Sequence, residues 1–264
     1  DSFSGDGLVD VSSEAYIDLA YQQALQFVEA GVDILDVGGE STRPGASIVS
    51  LQEEMDRVIP VVERLANSFD VPVSIDTYKS QVASAALDAG AQIVNDVWAL
   101  RVDPKIAEVV SEYDVPVILM HNRSKPSNAE IQDRLGGRYI GIEYDDLIED
   151  IKKELMVSVE IAHQAGVSDQ QIILDPGIGF GKTVPQNLEI LNRLDEIRAL
   201  GYPVLLGPSR KSFIGYTLDL PPDDRIEGTA ATIAIGIDRG ADIVRVHDVR
   251  EMVRIARMTD AIVR

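Results

Sequence analysis

Pro203-Val204-Leu205-Leu206-Gly207-Pro208-Ser209-Arg210-Lys211-Ser212 begins as an apolar run and breaks at a Gly-Pro turn into two adjacent cations. Such a run reads as a short buried strand with a polar stop at its carboxyl end. The same grammar recurs at Asp36-Val37-Gly38-Gly39-Glu40-Ser41-Thr42-Arg43-Pro44-Gly45, at Asp76-Thr77-Tyr78-Lys79, at Asp175-Pro176-Gly177-Ile178-Gly179-Phe180-Gly181-Lys182 and at Arg245-Val246-His247-Asp248. Each follows a predicted strand in a repeated strand-then-helix pattern. Their side chains are therefore expected to converge at one end of a parallel sheet, where such folds place their chemistry.

Working outward, β-branched runs predict seven strands, at 33–37, 71–76, 91–95, 115–120, 171–175, 203–207 and 242–246. Apolar spacing near the helical period predicts eight helices, at 13–30, 52–68, 80–89, 104–113, 144–165, 185–200, 222–239 and 249–262. Gly31, Gly90, Gly166, Gly201 and Gly240 follow helices closely, as left-handed caps do. Recurrent βα units without a sign of reversed strand order fit an α/β (β/α)8 TIM barrel better than a doubly wound sheet. An open seven-strand sheet would leave two unpaired edges, so a first strand is expected before Asp1, missing from the given sequence. The long connection 121–143 reads as a lid or a solvated insertion.

The length of 264 residues fits one domain, 1–264. The chain has no cysteine, which excludes disulfides, thiolate ligands and a cysteine nucleophile and fits a cytoplasmic protein. No apolar stretch approaches the roughly 20 residues that span a bilayer, and no basic-then-apolar leader opens the sequence. A net charge of -20 argues against nucleic acid and anionic membranes as partners. Against that background Arg43, Lys79, Lys182, Arg210, Lys211, Arg245 and His247 gather in or beside the strand ends. A cationic pocket in an acidic protein points to an anionic ligand with a divalent cation. Three histidines without thiols or close spacing argue against zinc, and the Gly177–Lys182 stretch lacks the Gly-Lys-Ser/Thr spacing of a nucleotide loop.

The chemistry of single residues can be read further. A carboxylate at a strand end, as at Asp175, can accept two hydrogen bonds at once; a lone Asp-Pro-Gly would read only as a turn. Asn95 offers both a donor and an acceptor, whereas Asp76 offers acceptors alone. Arg245 and His247 alternate across Val246 and so project to one side, where they and the amides of the next helix can hold phosphate. Asp96 is expected to cap the following helix.

Ser74-Ile75-Asp76-Thr77, Val94-Asn95-Asp96, Leu119-Met120-His121, the Leu174–Lys182 stretch, Ser209-Arg210-Lys211-Ser212 and Arg245-Val246-His247-Asp248-Val249 follow Gly39–Gly45 in order. This series resembles the dihydropteroate synthase family of pterin-binding enzymes, which joins a dihydropterin methyl diphosphate to 4-aminobenzoate in folate biosynthesis with loss of diphosphate. The resemblance covers essentially the whole chain. It implies a pterin site of Asp76, Asn95, Val97, Met120, Asp175, Gly207, Lys211 and Arg245, and a diphosphate site of Thr42, Arg245 and His247. It implies a 4-aminobenzoate site of Thr42, Arg43, Pro44, Phe180, Lys211 and Ser212, with Lys211, Asp175, Arg245 and His247 carrying the reaction. It further implies Mg²⁺ and a homodimer. Asp1-Ser2-Phe3-Ser4 resembles the end of the family's first loop, whose asparagine near the metal would precede Asp1, so the metal ligand stays unknown. Gly5-Asp6-Gly7 departs from the family's Asp-Gly-Gly. Two other readings remain: a methyltetrahydrofolate-type pterin methyltransferase, against which the Ser-Arg-Lys-Ser and Ser-Thr-Arg-Pro motifs argue, and a non-catalytic pterin-binding barrel.

Overall fold

A computed structural model of the chain describes residues 13–42, 46, 48–140 and 142–264. Arg43 and Pro44, and the Asp1–Ser4 and Gly5-Asp6-Gly7 stretches, lie outside the described residues. The chain forms two compact units, crossing between them at Leu119/Met120, Val157/Ser158 and Ile172/Ile173.

The first unit alternates helix and strand: α1 (Ser13–Ala30), β1 (Leu35–Gly38), α2 (Leu51–Ala66), β2 (Val73–Asp76), α3 (Ser80–Asp88), β3 (Ile93–Asp96), α4 (Lys105–Tyr113) and β4 (Val117–Met120). β1, β2, β3 and β4 pair in that order and in parallel. Gly38 faces Asp76, Asp76 faces Asn95 and Asn95 faces Ile118, so the strands end almost level. Parallel strands need crossovers, and the helical periods of α2, α3 and α4 supply them. α2 shows why the sequence folds this way: Ser50 accepts the Glu53 amide at its start, and Val58, Val61, Val62 and Leu65 recur at helical spacing and are buried. Pro60 sits inside α2 and cannot donate to Asp56 O. Tyr16 Oη of α1 donates to that carbonyl instead, at 2.8 Å.

The second unit carries β7 (Ile172–Asp175), β8 (Leu205–Leu206) and β9 (Ile243–Val244), with Leu174 bridged in parallel to Val204 and Leu205–Leu206 paired in parallel with Ile243–Val244. Its helices include α6 (Val184–Asn192), α7 (Leu194–Arg198), α8 (Ser212–Leu218), α9 (Ile226–Asp238) and α10 (Val249–Val263), while α5 (Leu147–Gln164) belongs to both segments of chain. α9 and α10 share a core of Ile233, Ile237 and Met252.

β1–β4 and β7–β9 correspond to the seven strands expected from the sequence. Four local features differ. The helix expected over 185–200 is divided at Arg193, whose backbone leaves the helical region while its guanidinium bonds Glu189 and Glu196. The helix expected from 222 begins at Ile226, after a 3-10 turn over Pro222–Asp224. There the buried Arg225 guanidinium is occupied by the carbonyls of Leu135, Arg210 and Leu220. α8 was not expected at all. The connection 121–143 holds an antiparallel hairpin, β5 (Ala129–Gln132) with β6 (Gly136–Tyr139).

Candidate active site

Asp175 ends β7 and is buried, with 6% of its surface exposed. Pro176-Gly177 turns the chain sharply, and Asp175 Oδ1 accepts the Gly177 amide at 2.6 Å. Burial pushes the carboxyl group's pKa up; Lys211, the Gly177 amide, Lys182 and Arg245 oppose that rise. The charges of three cations, each following a different strand, thus act on one carboxylate.

The glycine-rich loop after Asp175 has φ of +70° at Gly177, +82° at Gly179 and +64° at Gly181. A side chain at Gly179 would come within 3.0 Å of Lys211 Cδ, so the lysine stem crosses the loop there. Lys211 Nζ donates to Ile178 O and lies 4.5 Å from the centre of the Phe180 ring. Phe180 itself is buried. Lys211 caps the start of α8, and Ser212, half-buried, is that helix's first residue.

Arg210 turns the other way. Its φ of +56° places it in the left-handed region, and its guanidinium forms a fork with Asp248, with Nε 2.9 Å from Oδ2. Gly207 leaves room for the neighbouring strand end: a Cβ there would lie 3.7 Å from Arg245 Cβ. Arg245 N donates to Leu206 O, and Ser209 Oγ lies 3.0 Å from His247 Nδ1 and accepts the His247 amide. Asp175, Phe180, Lys211, Gly207, Arg245 and His247 are thereby tied by contact or charge within the second unit, and Met120, buried, ends β4 in the same unit.

In the first unit the parallel register sets Asp36, Asp76 and Asn95 on one face of the sheet, with Asn95 Nδ2 3.4 Å from Asp36 Oδ2. Asn95 and Val97 are buried, while Asp76 and Thr42 are half-buried. Asp96 is wholly buried and accepts the amides of Trp98 and Leu100, so it caps the turn after β3 and not the following helix, which starts only at Lys105. Burial outweighs those amides and pushes its carboxyl pKa up to about 6.

Several residues around these strand ends, given no individual role by the sequence, acquire partners in the fold. Lys182 is buried, with Nζ 2.9 Å from His121 Nδ1, Gly177 O and Phe180 O, and burial takes its pKa well below that of an exposed lysine while Asp175 opposes the fall. His121 Nε2 lies 3.1 Å from Glu154 Oε2, and Arg123 Nε donates to Glu154 Oε1 at 2.7 Å. Asp36 shares the face of Asp76. Polar residue type beside a strand end was the available signal for His121, Lys182 and Asp36; Glu154, on a long helix, offered none. The described residues contain no group of three or more His, Cys, Asp or Glu side chains able to hold a metal ion, and none of their helices is long and apolar enough to cross a membrane.

Residues 1–247 match the family model of pterin binding enzymes. The chain is 50% identical to the dihydropteroate synthase of Bacillus subtilis over 261 residues, covering 99% of this chain and 84% of that protein. It is likewise 50% identical to the dihydropteroate synthase of Clostridium beijerinckii, covering 100% and 92%. A crystal structure of dihydropteroate synthase from Clostridium difficile, obtained in the presence of pteroic acid, superposes with a TM-score of 0.85 at 51% identity, over 94% of this chain and 88% of that one. The Yersinia pestis dihydropteroate synthase in complex with a sulfonamide drug gives a TM-score of 0.87 at 40% identity, over 97% and 90%. The fold class is the α/β (β/α)8 barrel of these proteins.

Proposed function

The chain belongs to the dihydropteroate synthase family, pterin-binding transferases of folate biosynthesis, and from this premise we propose that it condenses a dihydropterin methyl diphosphate with 4-aminobenzoate to give dihydropteroate and diphosphate. The observation that carries the residue assignment is Asp175, a buried carboxylate set against Lys211 and Arg245. An acidic acceptor for the amine edge of a pterin and cations for its leaving group are the two things this reaction needs in one place.

In the proposed reaction the bond between the pterin methylene carbon and the diphosphate oxygen breaks, and its electron pair leaves with diphosphate. The lone pair of the 4-aminobenzoate amine forms the new C–N bond, and the amine's proton is released to solvent or to the departing diphosphate. The electron-rich dihydropterin spreads the positive charge at the methylene, so no side-chain nucleophile is required. The protein's task is positioning and charge stabilisation. Asp175 accepts from the pterin, with Asp76 and Asn95 assigned to the same heterocycle and Val97, Met120 and Gly207 to its walls. Lys211 stands between pterin and 4-aminobenzoate, Arg245 and His247 receive the diphosphate with Thr42, and Phe180, Ser212, Thr42, Arg43 and Pro44 serve the 4-aminobenzoate side.

Mg²⁺ is part of the proposal. It is usually held by one or two carboxylates together with substrate phosphates, so it does not need the all-protein cage that the described residues lack. When bound it would neutralise diphosphate charge, and no described side chain is assigned to it. We further propose that residues 1–264 act as one domain, in a cytoplasmic homodimer.

The test is incorporation of labelled 4-aminobenzoate into dihydropteroate. Lys211→Ala and Asp175→Ala are each expected to lower kcat/KM by a factor of about 100 or more, the scale on which a preorganised charged contact acts. Unchanged turnover in both would sink the assignment.

A further inference from the structure

Lys182 has no place in the reaction just described, yet it is among the largest fully buried side chains, 2% exposed. Its surroundings account for the shape of the loop before it. A lysine ammonium carries three protons, and three acceptors lie at 2.9 Å: His121 Nδ1, Gly177 O and Phe180 O. His121 O, at 3.3 Å, shares one of them. Two of these carbonyls belong to the Gly177–Gly181 loop, so the lysine that follows the loop reaches back under it and ties its first residue to its fourth.

The rest of the loop backbone is equally committed. Asp175 takes the Gly177 amide, Lys211 donates to Ile178 O, Asn187 Oδ1 takes the Gly179 amide, and Tyr144 Oη donates to Gly181 O. Its underside has no spare room: a Cβ on Gly177 would lie 1.9 Å from His121 O, and one on Gly181 would lie 2.3 Å from the Arg123 carbonyl carbon. The loop is therefore gripped on one side by Lys182 and His121 and on the other by Lys211, and Phe180 is the side chain it carries to Lys211.

We propose that Lys182 is a positioning residue for the 4-aminobenzoate subsite: backed by His121 and Glu154, it holds the 177–181 loop in the one shape that presents the Phe180 ring and Ile178 O to Lys211. The inference rests on the assignment of Phe180 and Lys211 to 4-aminobenzoate above. It also fixes a tautomer. Burial works against the charge, but three acceptors at 2.9 Å match the three protons of an ammonium; His121 Nδ1 then accepts, and the imidazole proton sits on Nε2, 3.1 Å from Glu154 Oε2.

The experiment compares the full chain with Lys182→Met, which keeps the stem and removes the donors, and Lys182→Arg, which keeps charge and donors. Lys182→Met is expected to raise KM for 4-aminobenzoate about tenfold or more with KM for the dihydropterin diphosphate changed less than about twofold, and Lys182→Arg to restore part of the loss. Parallel rises in both KM values, or no change in either, overturn the inference while leaving the overall reaction intact. No dihydropteroate from the unaltered chain would instead overturn the functional reading on which it rests. Should Lys182→Met not fold, ¹⁵N NMR of the histidines in the unaltered chain decides. An unprotonated Nδ1 and a protonated Nε2 on His121 are expected, and a proton on Nδ1 overturns the clamp.

Discussion

Lys79 Nζ lies 2.6 Å from Glu40 Oε2 and 2.7 Å from Val49 O, so one ammonium joins the two ends of the segment that contains Thr42. The same nitrogen is 2.5 Å from Glu54 Oε2 on α2, a carboxylate only 1% exposed whose other oxygen accepts from Thr77 Oγ1. Tyr78 Oη donates to Glu40, and Arg57 donates to Gly39 O at 2.8 Å. The stem of this segment is thus anchored by charge-assisted bonds. Burial alone lowers the Lys79 pKa, but the bonds to Glu40 and Glu54 outweigh it and hold the ammonium above its ordinary value.

Removing that ammonium strands a buried carboxylate. Lys79→Met is expected to lose about 3–5 kcal/mol of stability, the usual cost of breaking one side of a buried pair. Urea denaturation followed by circular dichroism reads this directly. A loss below about 1 kcal/mol would mean that Glu54 finds water or another donor.

Glu154 gives the molecule an acid-sensitive joint. Burial alone raises its pKa, yet the bonds from His121 and Arg123 outweigh burial and bring it from 4.5 down to about 2. A folded-state value below the unfolded one means that its stabilising contribution is complete above about pH 4.5 and is lost as pH falls towards 2. The charged and titratable groups facing this network are His121, Arg123, Asp150 and Lys182. Glu154→Gln should therefore be less stable than the unaltered chain at neutral pH, with the gap closing across that acid window. Denaturant midpoints taken from neutral pH down to the acid transition test it, and a gap independent of pH would assign the effect to packing alone.

Chemistry-bearing residues were legible where a polar type interrupts a β-branched run, because the carboxyl end of a parallel strand is where such a residue has room to act. Asp175, Lys211 and Arg245 stand out as candidates in that way. What the sequence concealed was direction and partnership. Lys182 and Lys211 look alike in sequence, each close behind a glycine, and only the folded loop shows that one reaches beneath it and the other across it. Glu54 and Glu154 sit on helices where a carboxylate reads as solvated surface. Arg193 divides a helix through side-chain bonds to Glu189 and Glu196 that propensity does not encode, and the β5–β6 hairpin lacks the alternation that announces a strand pair.

The glycines offer a sharp contrast between backbone strain and backbone contact. Gly136 and Gly177 have nearly the same φ, +75° and +70°, but a Cβ on the first meets nothing within 4 Å whereas one on the second meets His121 O at 1.9 Å. Gly136→Ala should cost only the left-handed penalty, about 1–2 kcal/mol. Gly177→Ala adds a backbone collision that cannot relax without moving the Lys182 clamp. It should cost more than about 3 kcal/mol and abolish turnover. Thermal unfolding of the two variants separates these outcomes, and equal losses would show that the loop can shift away from residue 121.

Arg210 combines a strained backbone with three attachments. Its amide donates to Thr229 Oγ1 at 3.1 Å, its carbonyl accepts from Arg225 at 2.8 Å, and its guanidinium holds Asp248 at the start of α10. A non-glycine residue at φ +56° is tolerated here because these bonds over-determine the turn. Both Arg210→Ala and Arg210→Gly lose the ion pair, but only glycine relieves the left-handed strain. Arg210→Gly is therefore expected to unfold at the higher temperature of the two, by the equivalent of about 1 kcal/mol. Both should share a raised KM for the dihydropterin diphosphate, since Asp248 follows His247 and is freed in each. If the glycine variant were the less stable, the bonds to Thr229 and Arg225 would have to depend on the side chain, and the turn would be held from Asp248 rather than from its own backbone.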